Sequence, residues 1–160
     1  MMRIVREAGL VSRNVPPPNA VVVHLRVGDV LDMDMVHVGM EWSVQDLLSG
    51  NAPGALMAYT YPLWHYDGLI GRLPGNIDHV VLCGGTHYQH DGTWPRSWEY
   101  INAVGHYFVE KGFSVEARMA QNPDDDVIFM SHAAHFFQGG GGFSKLIGGI
   151  ARNMGARVYE

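Results

Sequence analysis

The sequence predicts one α/β domain with a Rossmann-like, three-layer architecture and a mostly parallel sheet of about five strands. Two observations carry this prediction. Short apolar runs alternate along the chain with segments whose apolar residues recur at helical spacing, and this alternation is typical of crossover connections between parallel strands. Residues 20–25, apart from His24, and residues 80–83 are also apolar, which indicates strands buried on both faces.

The composition limits the possible classes of function. The 160 residues are 47% hydrophobic and 17% charged, which suits one globular core and leaves no room for two full domains. A net charge of -5 argues against a nucleic-acid partner, which needs a basic face. No apolar run approaches the roughly 20 residues of a membrane span, and the start of the sequence lacks the apolar segment of a signal peptide. We therefore expect a soluble protein, and the compartment stays open.

The first strand sets the domain boundary. Residues 1–19 comprise a segment with helical potential and a proline-rich linker, Pro16-Pro17-Pro18, which cannot continue a helix. Residues 20–160 form the Rossmann-like domain. Strands are predicted, in chain order, at residues 20–25, 80–83, 114–118, 135–138 and 157–159.

Three helices have recognisable ends. The first has Ser97 as a predicted N-cap and Gly112 as a left-handed terminator, with Ile101, Val104 and Phe108 facing inward. The second begins with the acidic run 124–126, which suits the helix dipole, and extends to residue 134. Residues 40–72 are expected to be helical in places.

The third helix is predicted to start near Phe143 or Ser144 and to stop at Gly155. Its amphipathic spacing predicts a buried face. The residues expected on that face are Leu146, Ile147, Ile150 and Met154.

A cationic side chain follows the first strand directly. Ligands of parallel sheets bind beyond the carboxyl ends of the strands, and Arg26 lies at this exit with Gly28 and Asp29. A guanidinium can donate two charge-assisted hydrogen bonds to a diphosphate. The alternative is that Arg26 pairs with Asp29 or Asp32 as part of the scaffold. The glycine fingerprint of dinucleotide-binding domains is absent, so hydride transfer is not favoured.

A glycine run, residues 139–142, precedes Phe143 and Ser144 at the predicted start of the third helix. Glycines allow close approach of a ligand to the backbone, and helix-start amides bind anions, so this segment predicts a phosphate cradle. The spacing of a P-loop is absent, which excludes the usual Mg-nucleotide hydrolases. The alternative is a flexible turn in which Ser144 serves only as an N-cap.

Asp126 is the third candidate. A carboxylate at the ligand edge of the sheet can accept hydrogen bonds from N1 and N2 of guanine, a pair of donors that adenine lacks. The alternative is a solvated helix cap.

Other polar and aromatic residues point less clearly to a site. Two histidine pairs share one spacing, whereas zinc sites need three or four ligands, so we expect no metal. The pairs are His87 with His90 and His132 with His135. The first pair is an alternative candidate for lining a sugar pocket. Cys83 lies within an apolar strand and is expected to be a small buried hydrophobe. Trp94 and Trp98 suit either a carbohydrate-stacking surface or, as we expect, core packing.

Three segments together resemble the peptide motifs shared by α-1,2- and α-1,6-fucosyltransferases and protein O-fucosyltransferases. They are His24-x-Arg26-x-Gly28-Asp29 after a strand, Asp126 with Ala133 seven residues later, and Phe143-Ser144 before an apolar helix. The resemblance covers most of residues 21–160. It implies the half of a two-domain GT-B glycosyltransferase that binds GDP-fucose.

The resemblance also implies roles for individual residues. Arg26 would hold the β-phosphate, and His24 and Asp126 would contact guanosine. The turn at Gly142 to Ser144 would contact the diphosphate. The full substrate-binding set is then His24, Arg26, Gly28, Asp126, Gly141, Gly142, Phe143 and Ser144.

The implied reaction is metal-independent, inverting transfer of a sugar from a GDP-sugar to a glycan acceptor, with no cofactor besides this donor. Arg26 and Asp29 are the catalytic candidates, since Arg26 would stabilise the leaving diphosphate. Asp29, Asp32 and Asp34 are all possible bases, and the sequence does not choose between them.

Two departures from the family pattern bear on catalysis. Val27 stands where many of these enzymes have a second arginine, and the acceptor-side domain that precedes this half is absent from residues 1–160. A partner domain or a homodimer would then supply the acceptor side. The rival interpretation is a noncatalytic binding or structural subunit that retains the fold.

Overall fold

The computed structural model of the chain describes residues 15–32, 41–85 and 95–160. The helix expected within residues 1–13 lies outside the described residues. Residues 15–19 contain no regular element and lead into the first strand through a turn in which the Ala20 amide donates to the Pro17 carbonyl at 3.0 Å.

Five strands and seven helices follow within the described residues. In chain order they are β1 (Ala20–His24), α1 (Asp29–Asp32), α2 (Val44–Ser49), α3 (Gly54–Met57), α4 (Leu63–Ile70), β2 (His79–Gly84), α5 (Pro95–Glu110), β3 (Ser114–Met119), α6 (Pro123–Ser131), β4 (His135–Phe137), α7 (Gly141–Asn153) and β5 (Arg157–Tyr159). None of these helices is long and apolar enough to cross a membrane.

The strands form one sheet in the order β3-β2-β1-β4-β5, and every pairing is parallel. This confirms the predicted α/β class and the predicted number of strands. The carboxyl ends of all five strands therefore lie on one edge of the sheet. β1 is central, so the loop that follows it starts in the middle of that edge.

Both faces of the sheet are buried at β1 and β2, as their largely apolar sequences predict. Val21, Val23 and Leu25 pack on one face, beneath helices α1 to α5. Val22 and Cys83 pack on the opposite face, beneath α6 and α7. The sheet is thus the middle layer of three.

The ends of α5 correct one prediction and confirm another. Ser97 is not the N-cap, because the helix begins at Pro95 and Ser97 lies within its first turn. The carboxylate of Asp32, distant in sequence, instead accepts from the amides of Arg96 at 2.9 Å and Ser97 at 3.0 Å. Gly112 ends the helix with a φ of 92°, as predicted, and the next amide, of Phe113, donates back to the Phe108 carbonyl at 3.1 Å.

Helix α7 starts two residues before the earlier of its predicted starts. Its first residue is Gly141, which lies inside the glycine run. Ile147 and Ile150 are buried as predicted, but Leu146 is 46% exposed, so its predicted place in the core is wrong. The helix ends at Asn153, and Gly155 follows with a φ of 98°.

Candidate functional site

A cavity of about 360 Å³ opens at the carboxyl edge of the sheet. This volume lies within the usual range for small-molecule sites. Its walls come from the exits of β1 and β2, from α6, and from the start of α7. The predicted binding residues that line it are His24, Arg26, Asp126, Gly141, Gly142 and Phe143. Residues far apart in sequence are therefore brought together where the parallel topology predicts a ligand.

Arg26 and Asp29 form an ion pair in the cavity wall. The Arg26 Nη2 lies 2.7 Å from Asp29 Oδ1 and 2.8 Å from Oδ2. Both side chains are nearly one-third exposed. Of the two scaffold partners considered from the sequence, Asp29 is the one that Arg26 contacts. A ligand diphosphate would therefore compete with this carboxylate for the guanidinium.

Gly28 lies outside the cavity lining and shapes the loop behind Arg26. It has a φ of 76°, a conformation that favours glycine. Its amide donates to the Ser97 Oγ at 2.8 Å, and this hydroxyl contacts the Asp32 carboxylate at 2.5 Å. These hydrogen bonds connect the loop to helices α1 and α5. Contact of Gly28 with a substrate remains a prediction.

The glycine run serves the fold at its start and the cavity at its end. A Cβ on Gly139 would lie 2.3 Å from the His24 carbonyl oxygen, and one on Gly140 would lie 2.4 Å from the Tyr59 Cα. These two glycines permit contacts between protein segments. Gly142 differs, since a Cβ there would meet nothing within 4 Å. The part of the run that faces the cavity is therefore its last two residues.

The start of α7 has no side-chain cap. Its N-cap is Gly140, so the alternative that Ser144 caps this helix is wrong. First-turn amides without a capping side chain, together with the helix dipole, favour an anion. Ser144 is fully buried one turn into the helix, and its Oγ has no hydrogen-bond partner within the described ranges. Its contact with a substrate stays a prediction.

Asp126 is buried rather than solvated. Only 3% of the residue is exposed, which overturns the alternative of a solvated helix cap. The cap of α6 is Asn122, whose Oδ1 accepts from the Asp124 amide at 2.9 Å. Asp126 instead pairs with Arg118, the Nε of which lies 3.3 Å from Asp126 Oδ1. The Arg118 guanidinium carbon also lies 4.5 Å from the centroid of the Phe129 ring.

Two side chains close the cavity around these charges. His24 is 6% exposed, and its ring centroid lies 5.9 Å from that of Phe143. Phe143, in the first turn of α7, is 37% exposed. The aromatic pair forms an apolar wall beside the anion-binding start of α7.

Sequence reasoning missed several residues of the site, among them Tyr59 and Arg118. Tyr59 lies between α3 and α4 and lines the cavity, although its segment shows no regular pattern from which a role could be inferred. Arg118 is at the end of β3 and contacts Asp126 from a neighbouring element. Its place at the end of the predicted strand 114–118 was the one available signal.

The remaining candidates lie away from the cavity or are occupied. Within the described part of the chain, no group of three or more His, Cys, Asp and Glu side chains could hold a metal ion. His132 Nδ1 lies 2.7 Å from the Ile128 carbonyl oxygen, and His135 Nδ1 lies 2.8 Å from the Tyr159 hydroxyl. Cys83 is completely buried, and burial raises the pKa of its thiol, as expected for a small core residue.

Some sequence candidates lie outside the described residues. They are Asp34, His87, His90 and Trp94. Trp98 is described and is 46% exposed on α5, so its expected place in the core is wrong.

Neither a protein-family model nor a curated protein sequence matches the chain. Solved structures do match. The chain is similar to POFUT1 in complex with GDP, with 14% sequence identity over 94% of this chain and 44% of that chain and a TM-score of 0.51. It is similar to the apo form of POFUT1 with 17% identity over 98% of this chain and 45% of that chain, again with a TM-score of 0.51.

The chain therefore spans less than half the length of the POFUT1 chains that it matches. It has a fucosyltransferase-like fold, a Rossmann-like α/β unit that corresponds to half of a GT-B fold.

Proposed function

We propose that this chain binds a GDP-sugar, GDP-fucose in the first place, as the donor-binding part of a fucosyltransferase-like glycosyltransferase. One observation carries the proposal. A single cavity at the carboxyl edge of a parallel sheet brings together Arg26, the uncapped start of α7 and the buried carboxylate of Asp126. An arginine and a helix start suit a diphosphate, and a buried carboxylate suits a base edge that offers hydrogen-bond donors.

The diphosphate would lie between Arg26 and the first turn of α7. An ideal Cβ on Gly141 would lie only 3.8 Å from Arg26 Cδ, so the arginine borders the amides of this turn. Both groups favour negative charge, the guanidinium through charge-assisted hydrogen bonds and the helix through its dipole. Asp29 would release Arg26 when the diphosphate binds.

The guanine would lie against α6, where Asp126 can accept from N1–H and N2–H of the base. Pro123 and Met130, on the same helix, contribute apolar surface to this wall of the cavity. His24 and Phe143 contribute aromatic surface nearby. Adenine lacks the two adjacent donors, so the arrangement supports a preference for guanosine.

The proposed chemistry is inverting and metal-independent. The acceptor oxygen attacks the anomeric carbon while the bond from that carbon to the β-phosphate oxygen breaks, and the acceptor proton passes to a base. The charge that develops on the leaving diphosphate would be stabilised by Arg26 and the start of α7. Among the described candidates for the catalytic base, Asp29 lines the cavity, whereas the Asp32 carboxylate accepts hydrogen bonds from the first amides of α5.

A noncatalytic donor-binding or structural subunit is the second candidate. One observation favours it: Asp29, the described base candidate that lines the cavity, is already paired with Arg26. This pairing leaves the reaction without an evident catalytic base among the described residues. The first proposal includes a glycan acceptor and an acceptor side supplied by a partner domain or a homodimer. The second proposal requires none of these.

Calorimetric titration of the purified protein with GDP, GDP-fucose, UDP, ADP and NAD tests the binding. We expect saturable binding of GDP and GDP-fucose and clearly weaker binding of the others. Arg26→Ala should weaken binding of GDP, while Arg72→Ala, an arginine beyond the end of α4 that contacts the carbonyl of Glu160, should not. No binding of any guanosine nucleotide would refute the proposal.

Labelled GDP-fucose and a library of glycan acceptors separate the two candidates, with size-exclusion chromatography at the same protein concentration. Glycoside formation that Arg26→Ala abolishes would support a transferase. Tight donor binding with neither transfer nor hydrolysis would favour the noncatalytic subunit.

A further inference from the structure

Tyr59 lies in the cavity on the side opposite α6. It follows α3, whose Leu56 belongs to the core on the α1 to α5 face of the sheet. Met130 of α6 belongs to the core on the other face. Tyr59 and Asp126 both line the cavity, so the cavity extends across the sheet edge from one layer to the other.

The start of α7 and Arg26 lie between these two ends. An ideal Cβ on Gly141 would lie 3.8 Å from Arg26 Cδ and 3.8 Å from Tyr59 Cδ1. The proposed phosphate position is thus directly bordered by Tyr59. A nucleoside diphosphate sugar has its diphosphate between base and sugar. With the base against Asp126, the sugar extends toward Tyr59.

The position of Tyr59 is fixed by its backbone. Its amide donates to the Leu56 carbonyl at 2.9 Å. On the other side, Gly140 packs so closely that a Cβ on this glycine would lie 2.5 Å from the Tyr59 carbonyl oxygen. The residue nevertheless remains 36% exposed. A held backbone with a partly exposed ring in a cavity is an arrangement suited to packing against a ligand.

We propose that Tyr59 contacts the sugar of the donor and determines which sugar is accepted, an inference that rests on the proposed function. The ring would pack against the C–H face of a hexose. A deoxyhexose presents more apolar surface to such a ring than its hydroxylated counterpart, and burying apolar surface is favourable. The aromatic ring of Tyr59 would therefore select a 6-deoxy sugar, and the tyrosine hydroxyl is dispensable for this contact.

The experiment measures affinities of GDP, GDP-fucose and its 6-hydroxylated counterpart, GDP-L-galactose, for the wild type, Tyr59→Ala, Tyr59→Phe and Trp64→Ala. Trp64 is the matched control, since it is an aromatic residue on neighbouring α4, is 63% exposed and lies outside the cavity lining. We expect Tyr59→Ala to weaken GDP-fucose binding roughly tenfold, the order expected for one lost ring contact. GDP binding should stay within about twofold, well below the effect on the sugar. Tyr59→Phe and Trp64→Ala should behave as the wild type.

Unchanged GDP affinity also reports that the Tyr59→Ala variant is folded. Equal weakening of GDP and GDP-fucose would place Tyr59 against the nucleotide and overturn the inference. Unchanged binding of both would overturn it as well, as would a wild type that binds GDP-fucose no better than GDP-L-galactose. If the wild type binds no guanosine nucleotide at all, the proposed function itself fails, which is a distinct result.

Discussion

The Nε of Arg118 lies 3.3 Å from the Oδ1 of Asp126, and this contact joins the end of β3 to the first turn of α6 beside the cavity. The Asp126 side chain is 4% exposed and that of Arg118 is 18% exposed. A charge at this depth costs free energy unless an opposite charge accompanies it. The pair therefore supports both the fold and the position of the proposed base-reading carboxylate.

Arg118→Met should lower the free energy of unfolding by about 3 kcal/mol, because it leaves a buried carboxylate without this partner. Chemical denaturation measures the change. Arg152→Met is the control, since Arg152 is about half-exposed and pairs with Glu160 at the surface, where an ion pair contributes at most about 1 kcal/mol. Equal losses in the two variants would contradict a special role for the Arg118 pair.

Asp126→Asn should reduce the preference for GDP over ADP. An amide offers one oxygen and donates through its nitrogen, so it cannot accept from two neighbouring donors of guanine as a carboxylate can. Competition binding with GDP, IDP and ADP checks this, and IDP, which lacks the N2 donor, should be affected less than GDP. The same GDP preference in the variant would remove the base-reading role from Asp126.

Arg26→Ala should weaken GDP binding by about 1.5 to 3 kcal/mol, the range for hydrogen bonds to charged groups. Arg26→Lys should recover only part of the affinity, because an ammonium cannot reproduce the planar fork of a guanidinium. Calorimetry on the three proteins provides the measurement. GDP affinity unaffected by either substitution would refute Arg26 as the diphosphate anchor.

Asp29→Asn should strengthen GDP binding, the opposite of the effect at Arg26. The Asp29 carboxylate contacts Arg26 at 2.7 Å and competes with phosphate for it. Partly exposed pairs of this kind contribute up to about 1 kcal/mol, so the expected gain is about two- to fivefold. Weaker GDP binding in this variant would mean that Asp29 orients Arg26 for the ligand instead of competing with it.

The central strands β1 and β2 followed from the sequence because parallel strands buried on both faces have long apolar runs. That topology alone brings Arg26 and Asp126 to one edge, although 100 positions separate them in the numbering. Prediction was weaker where a distant residue takes over a local role. Serine is a common N-cap residue, which is why Ser97 was predicted to cap α5. The carboxylate of Asp32, on another helix, instead accepts from the first amides of α5. Local sequence contains no signal for such a substitution.

The glycine run shows the same limit. Glycine was expected to admit a ligand, and only the run's end, at Gly141 and Gly142, lines the cavity. Gly139 and Gly140 are required by packing against the His24 carbonyl and the Tyr59 backbone. Tyr59 could not be identified from the sequence, because its place in the cavity wall depends on where α3 ends and not on the residues next to it in the sequence.

Gly140→Ala and Gly142→Ala should therefore have opposite effects on stability. A methyl group on Gly140 would lie 2.4 Å from the Tyr59 Cα, and overpacking of this kind costs about 1 to 3 kcal/mol. Gly142 is in α7 with open space around it, so alanine there should stabilise by up to about 1 kcal/mol through helix propensity. Thermal unfolding of the two variants and the wild type distinguishes these results. Destabilisation by Gly142→Ala would show that this position is more confined than its surroundings suggest.

The stability of the protein should fall as the pH drops through the histidine range, and His65 should contribute to the loss. Burial lowers the pKa of His65, and the positive charge of Arg72 lowers it further. The ring lies 4.1 Å from that of Tyr61, between centroids, and its buried Nε2 makes no hydrogen bond within the described residues.

Because the pKa of His65 is lower in the folded than in the unfolded protein, the unfolded state binds its proton first on acidification. The contribution of neutral His65 is complete above the unfolded pKa of about 6.5 and is lost as the pH falls toward the folded pKa. His65→Phe keeps an aromatic ring and removes the titration, so its free energy of unfolding should decline less between pH 7.5 and pH 5 than that of the wild type. The pKa of His135 is also lowered, mainly by burial and additionally by the charge of Arg157, so a smaller decline of the free energy of unfolding should remain in this variant. Urea unfolding across this pH range provides the test, and parallel curves for wild type and His65→Phe would show that protonation of His65 is not coupled to folding.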